Sequence, residues 1–558
     1  MSDQFFKLEK FLNNGKNFYK IFFFLVVFLC AVKLPSILTS NIQPWDEGMY
    51  ATRVLSVHIN GDFFEQSSHS VGGFYSASHP PLLIWIGYLV TLITGVNSVS
   101  LKLIIFVFSL LCVLLMMLIG KTLFSTSVGF YASLIFCSNI IFAVFSQRFQ
   151  FDYPYTFFIL LSFYLIFLFN EKKDYKYLIF SGVSLGMCLM IKILVGFYIP
   201  LVLFVSYFLI RDKVSYKFKD LIVLTSIGIV IALPWHLYML VNFGTAFTDY
   251  FLKFHIYQRI VEGVEFNQKS SGVLYHINYL FSIIPYSILM FPGIIFDFKN
   301  YQNLDWKKIF VLVWFISGLI IITLLKTKLE VYVLMILVPG CFLIPLYIRQ
   351  LSGKNILHNT VLIFFTLLNV LWYLSETYRP QIKNFIFREN FFVDAIVVIS
   401  ILLLFFLSAK YLADKIELKK SYYIFILIFF VTVNLYYLFS VPHWVNMYKL
   451  SGVHEYIQTH PGKEIIYIGT NYRHNPQFSF YFNGSNLNWE NPEYEIVMFD
   501  TKKDNNVTGS ISKMNDKDYY LILEKDYINR AVYPPSDSIV PGNMKLIMKD
   551  GGYELYGK

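Results

Sequence analysis

Gln43-Pro44-Trp45-Asp46-Glu47-Gly48-Met49-Tyr50 follows directly on the first long apolar run of the chain. A carboxylate at a membrane boundary is costly, so an acidic pair there has either a partner or a task. Ser78-His79-Pro80-Pro81-Leu82 lies in the same stretch between apolar runs, about residues 40–102, so acid, imidazole and rigid-turn chemistry share one loop. Outward from this loop, runs of roughly 17 to 25 apolar residues recur from Ile21 to about Ser440, each long enough to cross about 30 Å of hydrocarbon as a helix. The composition agrees: 56% hydrophobic, 19% aromatic and 15% charged, where soluble domains carry about 25% charged residues. The chain reads as a polytopic α-helical membrane protein, residues 1–440, with a soluble domain at residues 441–558. The first run is long for a signal peptide and lacks a small-residue cleavage site after it, so it is expected to remain as an anchor.

Lys7, Lys10, Lys16 and Lys20 precede the first span and place the N-terminus in the cytoplasm by the positive-inside rule. Asp46 and Glu47 are then outside. Basic clusters at 172–176, 211–219, 299–308 and 410–420 are all cytoplasmic only if the short apolar segment 80–94, which opens on Pro-Pro, does not cross. It is therefore read as an interfacial or re-entrant helix on the outer face. Spans are then expected at about 21–39, 103–119, 127–146, 153–169, 177–191, 194–210, 220–239, 276–296, 309–325, 331–348, 357–375, 392–409 and 422–440. Thirteen crossings put the C-terminal domain outside a plasma (inner) membrane. That domain contains strand-like runs at 464–468, 494–499, 519–523, 545–549 and 553–556, the last two joined at Asp550-Gly551-Gly552 as a hairpin, and reads as a small α/β or mostly β unit.

The formal charge of +10 does not indicate nucleic acid, because the basic residues are distributed by loop and form no single stripe. The tail holds 12 Lys and Arg against 14 Asp and Glu, so the excess belongs to the membrane part and reports topology. All five cysteines fall in apolar runs, with no metal-ligand spacing.

The topology collects Asp46, Glu47, His79, Arg148, Asp152, Lys192, His255, Arg259, Lys326 and Lys328 on the outer side. Asp152 begins a span just as Asp46 follows one, so acids from separate helices could face one cavity. Cations there oppose the positive-inside trend, and an external phosphate would explain them. Each residue also has an ordinary explanation. A solvated helix end would account for Asp46-Glu47 equally well, and Asp152 before Tyr153-Pro154 has the sequence of a helix cap more often than of a catalyst. His79 suits an interfacial position, His255 and Arg259 suit one face of an amphipathic helix, and Lys326 and Lys328 suit a helix end where lysines snorkel.

Taken in order, Asp46-Glu47 with Tyr50 and Ala51, Asn60-Gly61-Asp62-Phe63, His79-Pro80-Pro81-Leu82 with Trp85, Arg148 with Asp152, Lys192, Pro234-Trp235, the His255 to Arg259 segment, and Lys328 with Tyr332 resemble the protein O-mannosyltransferase and aminoarabinose-transferase superfamily of membrane glycosyltransferases with the C-type fold, over roughly residues 20–345. The resemblance implies a polyprenyl-phosphate-linked sugar donor and an extracytoplasmic acceptor, whether glycolipid, lipid A-like molecule, polysaccharide or protein. It implies Asp46 as the general base, with Glu47 and Asp152 orienting it or the donor sugar. It implies His79, Arg148, Lys192, His255, Arg259, Lys326, Lys328 and Tyr332 around the donor's sugar and phosphate. The aminoarabinose branch has an acid and a lysine before Pro-Pro where this chain has Ser78 and His79, which removes a carboxylate metal ligand and leaves a divalent metal ion open. Phe478-Ser479-Phe480-Tyr481 is similar to a short segment of relatives, with no role implied. A polyprenyl-lipid or glycolipid transporter without transferase activity is the alternative. It would place charge at the bilayer midplane, whereas Asp46 and Asp152 are expected at span ends.

Overall fold

The computed structural model describes residues 2–67, 73–263, 272, 274–299, 304–351, 356–377, 391–446, 448–469, 476–482, 497–500, 518–524 and 540–558. Ten helices among them are long and apolar enough to cross a membrane: Gly15–Thr39, Ser98–Leu123, Asp152–Lys172, Ile193–Lys213, Phe218–Val261, Trp306–Leu324, Glu330–Gln350, Ile356–Ser375, Val397–Lys415 and Leu418–Asn446. The other three expected spans fall on short or broken helices. The 127–146 run divides into Thr126–Cys137 and Ile140–Phe145, because the Asn139 side chain donates to the Phe136 carbonyl (2.8 Å) and accepts from the Phe142 N–H (3.0 Å). One helix ends and the next is capped at the same residue. The 276–296 run divides into Tyr275–Ile283, Ser287–Leu289 and Met290–Lys299. Pro285 forces its predecessor Ile284 into extended backbone (φ −133°, ψ 110°). The 177–191 run is the 15-residue helix Tyr175–Leu189.

Helices pack closely where side chains are small. A Cβ on Gly186 would lie 2.7 Å from Ile231 Cβ, and one on Gly228 would lie 2.5 Å from Leu185 Cγ, so the Tyr175–Leu189 and Phe218–Thr248 helices approach nearly backbone to backbone. The latter helix is interrupted at Gly244 (φ 46°, ψ −119°). It continues as a ten-residue π-helix, Asp249–Gln258, that delivers His255 and then Arg259. Helical structure, broken at Gly244, extends to Val261, beyond the expected end near residue 239.

The stretch expected as an outer loop is itself folded, with helices Asp46–Asn60, Phe74–Ala77 and Leu82–Thr94. Gly87 of the last lies against Val54 and Phe149, which seats this 13-residue helix on the Asp46–Asn60 helix. The C-terminal domain holds a five-stranded mixed sheet: β1 (Glu464–Gly469), β2 (Val497–Asp500), β3 (Tyr519–Glu524), β4 (Lys545–Asp550) and β5 (Tyr553–Gly557), in the order β2-β1-β3-β5-β4. β1 is parallel to both β2 and β3, while β5 runs antiparallel to β3 and closes the expected hairpin with β4. Part of the expected 494–499 strand lies outside the described residues.

Candidate active site

From Ser40 to Val54 every residue is buried except Trp45 and Asp46. Trp45 adopts φ 64° and ψ −134°, a conformation a bulky L-residue holds only under constraint. Asp46 then opens the Asp46–Asn60 helix. Glu47, fully buried, supplies much of the constraint. Its carboxylate pairs with Lys102 Nζ at 2.8 and 3.1 Å and accepts from the backbone N–H groups of Gln43 (2.9 Å) and Phe149 (3.1 Å). Expected to orient the base or the donor sugar, Glu47 is turned inward, and whatever orientation it imposes reaches Asp46 through the backbone.

Beneath this turn is a cavity of about 170 Å³ lined by His79, Tyr155, Lys192, His255, Arg259 and Tyr332, together with apolar residues that include Phe251, Ile256, Ile321, Leu325 and Met335. Its polar wall is continuous. Asp152 Oδ1 accepts from the Tyr155 hydroxyl at 3.1 Å, and the Lys192 ammonium lies 6.0 Å from the Tyr155 ring centre and 5.5 Å from that of Tyr332. The Tyr332 hydroxyl in turn accepts from Arg259 Nη1 at 3.4 Å, while Arg259 Nε is buried without a hydrogen-bond partner. A guanidinium and an ammonium therefore face one small space with donor capacity in hand.

The rings of His79 and His255 are 4.1 Å apart. His255 Nε2 lies 2.8 Å from the Tyr75 carbonyl and must donate to it, leaving Nδ1 as a buried, unpartnered acceptor. Burial, followed by the His255, Lys192, Arg259 and Arg53 charges, holds the His79 imidazole well below its ordinary pKa. His79 is thus a neutral group in a cationic setting. Tyr50 links Asp46 to this wall: its ring lies 4.0 Å from Phe151 and 6.2 Å from His79. The charges of Asp46, Arg259, Arg53 and Asp152 all act on its hydroxyl, which burial and then Asp46 raise well above the ordinary tyrosine value. Asp46 and Asp152 therefore belong to one electrostatic neighbourhood, although neither lines the cavity itself.

Three expected cations lie elsewhere. Lys328 Nζ donates at 2.7 Å to the carbonyls of Ile322 and of Thr323, in the last turn of the Trp306–Leu324 helix, where carbonyls have no intrahelical donor. So placed, Lys328 does not line the cavity. Lys326 is exposed and outside the cavity wall, its backbone N–H bonded to the Ile260 carbonyl and that of Thr327 to the Arg259 carbonyl. Arg148 sits behind Glu47, 5.4 Å from the Phe145 ring, with Nε buried and unpartnered; burial lowers its pKa, opposed first by Glu47.

Two residues absent from the sequence reading complete the arrangement. Lys102, at the mouth of an apolar run, is the partner that Glu47 required. Arg53, wholly buried, donates to Gln66 Oε1 (2.9 and 3.1 Å) and to the carbonyls of Ser76 (3.1 Å) and His79 (2.8 Å), fixing the backbone on which His79 stands. Each was visible as a lone charge needing a partner. Among the described residues no three His, Cys, Asp or Glu converge as metal ligands.

A helical membrane bundle with an intervening folded loop, a cavity of apolar and cationic lining and a small C-terminal α/β domain matches solved structures of the C-type glycosyltransferase fold. Comparison with known proteins identifies the relatives. Residues 78–238 match the family model of dolichyl-phosphate-mannose-protein mannosyltransferase. An uncharacterised protein of Aquifex aeolicus (strain VF5) is 25% identical over 354 residues, 60% of this chain and 67% of that protein. The crystal structure of ArnT from Cupriavidus metallidurans bound to undecaprenyl phosphate superposes with a TM-score of 0.64 at 15% identity, covering 96% of this chain and 97% of that one. The archaeal oligosaccharyltransferase AglB from Archaeoglobus fulgidus, in complex with an inhibitory peptide and a dolichol-phosphate, superposes with a TM-score of 0.51 at 11% identity, covering 91% and 69%. The resemblance to the mannosyltransferase and aminoarabinose-transferase superfamily holds in fold along nearly the whole chain.

Proposed function

We propose that this protein is a membrane glycosyltransferase that moves a sugar from a polyprenyl phosphate carrier to an acceptor hydroxyl or phosphate on the extracytoplasmic side. The observation that carries the reading is the cavity that Lys192 and Arg259 line together with apolar side chains. Such a space suits a phosphate with a hydrocarbon chain attached. ArnT, which has this fold, was crystallised with undecaprenyl phosphate.

In this reading the phosphate meets Arg259 and Lys192, and the Tyr332 hydroxyl orients the guanidinium. As the bond from sugar to phosphate breaks, negative charge grows on the phosphate, so these preplaced cations stabilise the transition state more than the bound donor. Asp46, exposed at the helix start, takes the proton from an acceptor hydroxyl and directs it at the sugar carbon from the face opposite the leaving group, an inverting displacement. Neutral His79 and the Asp152–Tyr155 pair contact the sugar. If a divalent metal ion takes part, His79 and His255 would be the residues to test for holding it.

The test is mass spectrometry of envelope lipids, glycans and glycoproteins from cells carrying the wild-type gene, Asp46→Asn or no gene. The sugar-bearing product should be present only with wild type, at equal protein levels. Full product with Asp46→Asn would remove Asp46 from the mechanism, and no difference between wild type and the null would refute transfer itself.

A further inference from the structure

The Gln477–Phe482 helix of the C-terminal domain has two working faces. Phe478 and Phe482, four residues apart, belong to the core of that domain, whereas Phe480 belongs to the core of the membrane domain and Tyr481 packs against it. Its seat is the Asp46–Asn60 helix. A Cβ on Gly48 would meet Gln477 N at 2.7 Å and Pro476 Cγ at 2.8 Å, so only glycine permits the approach. Gln477 in turn donates to the Tyr553 hydroxyl at 3.0 Å, tying the helix to β5.

The same domain and the helix leading into it hold the residues before Asp46. The Ile42 N–H donates to the Tyr481 hydroxyl (3.0 Å), and Asn41 Oδ1 accepts from the N–H groups of Leu450 (3.0 Å) and Ser451 (2.8 Å). Gln43 Nε2 donates to the Val445 carbonyl at 3.1 Å. Three successive residues of the approach to the strained Trp45 turn are thus bonded to residues 445–481. The fold spends these contacts on a turn whose only two exposed side chains are Trp45 and Asp46.

We infer that the C-terminal domain is a working part of the site: through the Gln477–Phe482 helix it fixes the Trp45-Asp46 turn, so that Asp46 is aimed only while that domain is docked. Tyr481 and Gly48 are positioning residues in this scheme. The inference rests on the reading of Asp46 as the base. The donor cavity is built from other elements, so undocking should impair transfer without impairing lipid phosphate binding.

The experiment uses the full chain, with Tyr481→Phe, Gly48→Ala and Asp46→Asn compared with wild type for product formed in cells per molecule of protein, and for binding of undecaprenyl phosphate to the purified protein by native mass spectrometry. Tyr481→Phe keeps the side-chain shape and strands the Ile42 N–H, so product should fall about tenfold. Gly48→Ala must push the helix back by roughly 0.5–1 Å, and product should fall by up to about 100-fold. Undecaprenyl phosphate binding should stay within about twofold of wild type in both, a split that general instability would not give. Tyr481→Phe carries the test if Gly48→Ala fails to accumulate. Wild-type product from Tyr481→Phe beside none from Asp46→Asn would overturn the inference alone. So would a Tyr481→Phe protein that loses binding and product in parallel. Wild-type product from Asp46→Asn would overturn the reading of the base and this inference with it.

Discussion

Glu47 is buried against Lys102, while its neighbour Asp46 is exposed. The Glu47 and Lys102 side chains are at most 1% exposed, and Glu47 makes four contacts: two with Lys102 and two with backbone N–H groups. Removing one member of a buried pair costs about 3–5 kcal/mol, because the other is left charged and out of water. Lys102→Met leaves the carboxylate with two N–H donors and belongs at the low end, about 3 kcal/mol. Glu47→Gln leaves an ammonium whose remaining bond is to the Gln147 carbonyl at 3.4 Å, and belongs at the high end, about 5 kcal/mol. The double variant Glu47→Gln/Lys102→Met has no buried charge at this point and retains a side-chain oxygen for one of the two N–H groups. It should lie within about 2 kcal/mol of wild type, giving a coupling energy of several kcal/mol across the cycle. Unfolding in detergent micelles measures stability, and product per folded molecule measures activity. A double variant as unstable as the sum of the single ones would refute the energetic argument. A stable double variant with no product would show that the Glu47 carboxylate takes part in the reaction itself.

Arg259→Ala should weaken use of a lipid phosphate donor by about two to three orders of magnitude, as loss of a preorganised charge-stabilising donor does. Lys328→Met should leave donor use intact and lower stability by about 1–3 kcal/mol, by stranding the Ile322 and Thr323 carbonyls; equal donor defects in the two would refute the division. His79, held neutral below its ordinary value of 6.5, binds fewer protons in the folded than in the unfolded chain. Its contribution to stability is therefore full above about pH 6.5 and is lost as pH falls toward the depressed value. The melting temperature should drop between about pH 7 and pH 5, and His79→Asn should flatten that slope; an unchanged slope would refute it.

Hydrophobic run length made the helical architecture legible, because the demands of a bilayer are stated in every span. Run length does not show where a helix breaks within the run, as at Asn139, which caps one helix from within an apolar stretch, and at Pro285, which divides another. The strands of the tail were legible because alternation and the Asp550-Gly551-Gly552 turn are local signals. The site was half legible. His79, Lys192, His255, Arg259 and Tyr332 do converge on one cavity, yet charge alone does not reveal which way a side chain faces. Glu47 and Lys328 look like Asp46 and Lys326 in sequence and differ in being buried against partners. The docking of Phe480 and Tyr481 on the Asp46 helix joins segments more than four hundred residues apart, a distance no periodicity spans.

The π-helical turns at Asp249–Gln258 make the length of this segment as meaningful as its composition. Each residue of an α-helix rotates the chain by about 100°, and a π segment commonly reflects one inserted residue. Deleting a single position between 245 and 254 would let the backbone rewind as ordinary α-helix with its hydrogen bonds intact. It would also swing Arg259 off the cavity by roughly a quarter turn or more. Here the aim of a cation is encoded by counting, so the site is vulnerable to an indel that alters none of its own residues.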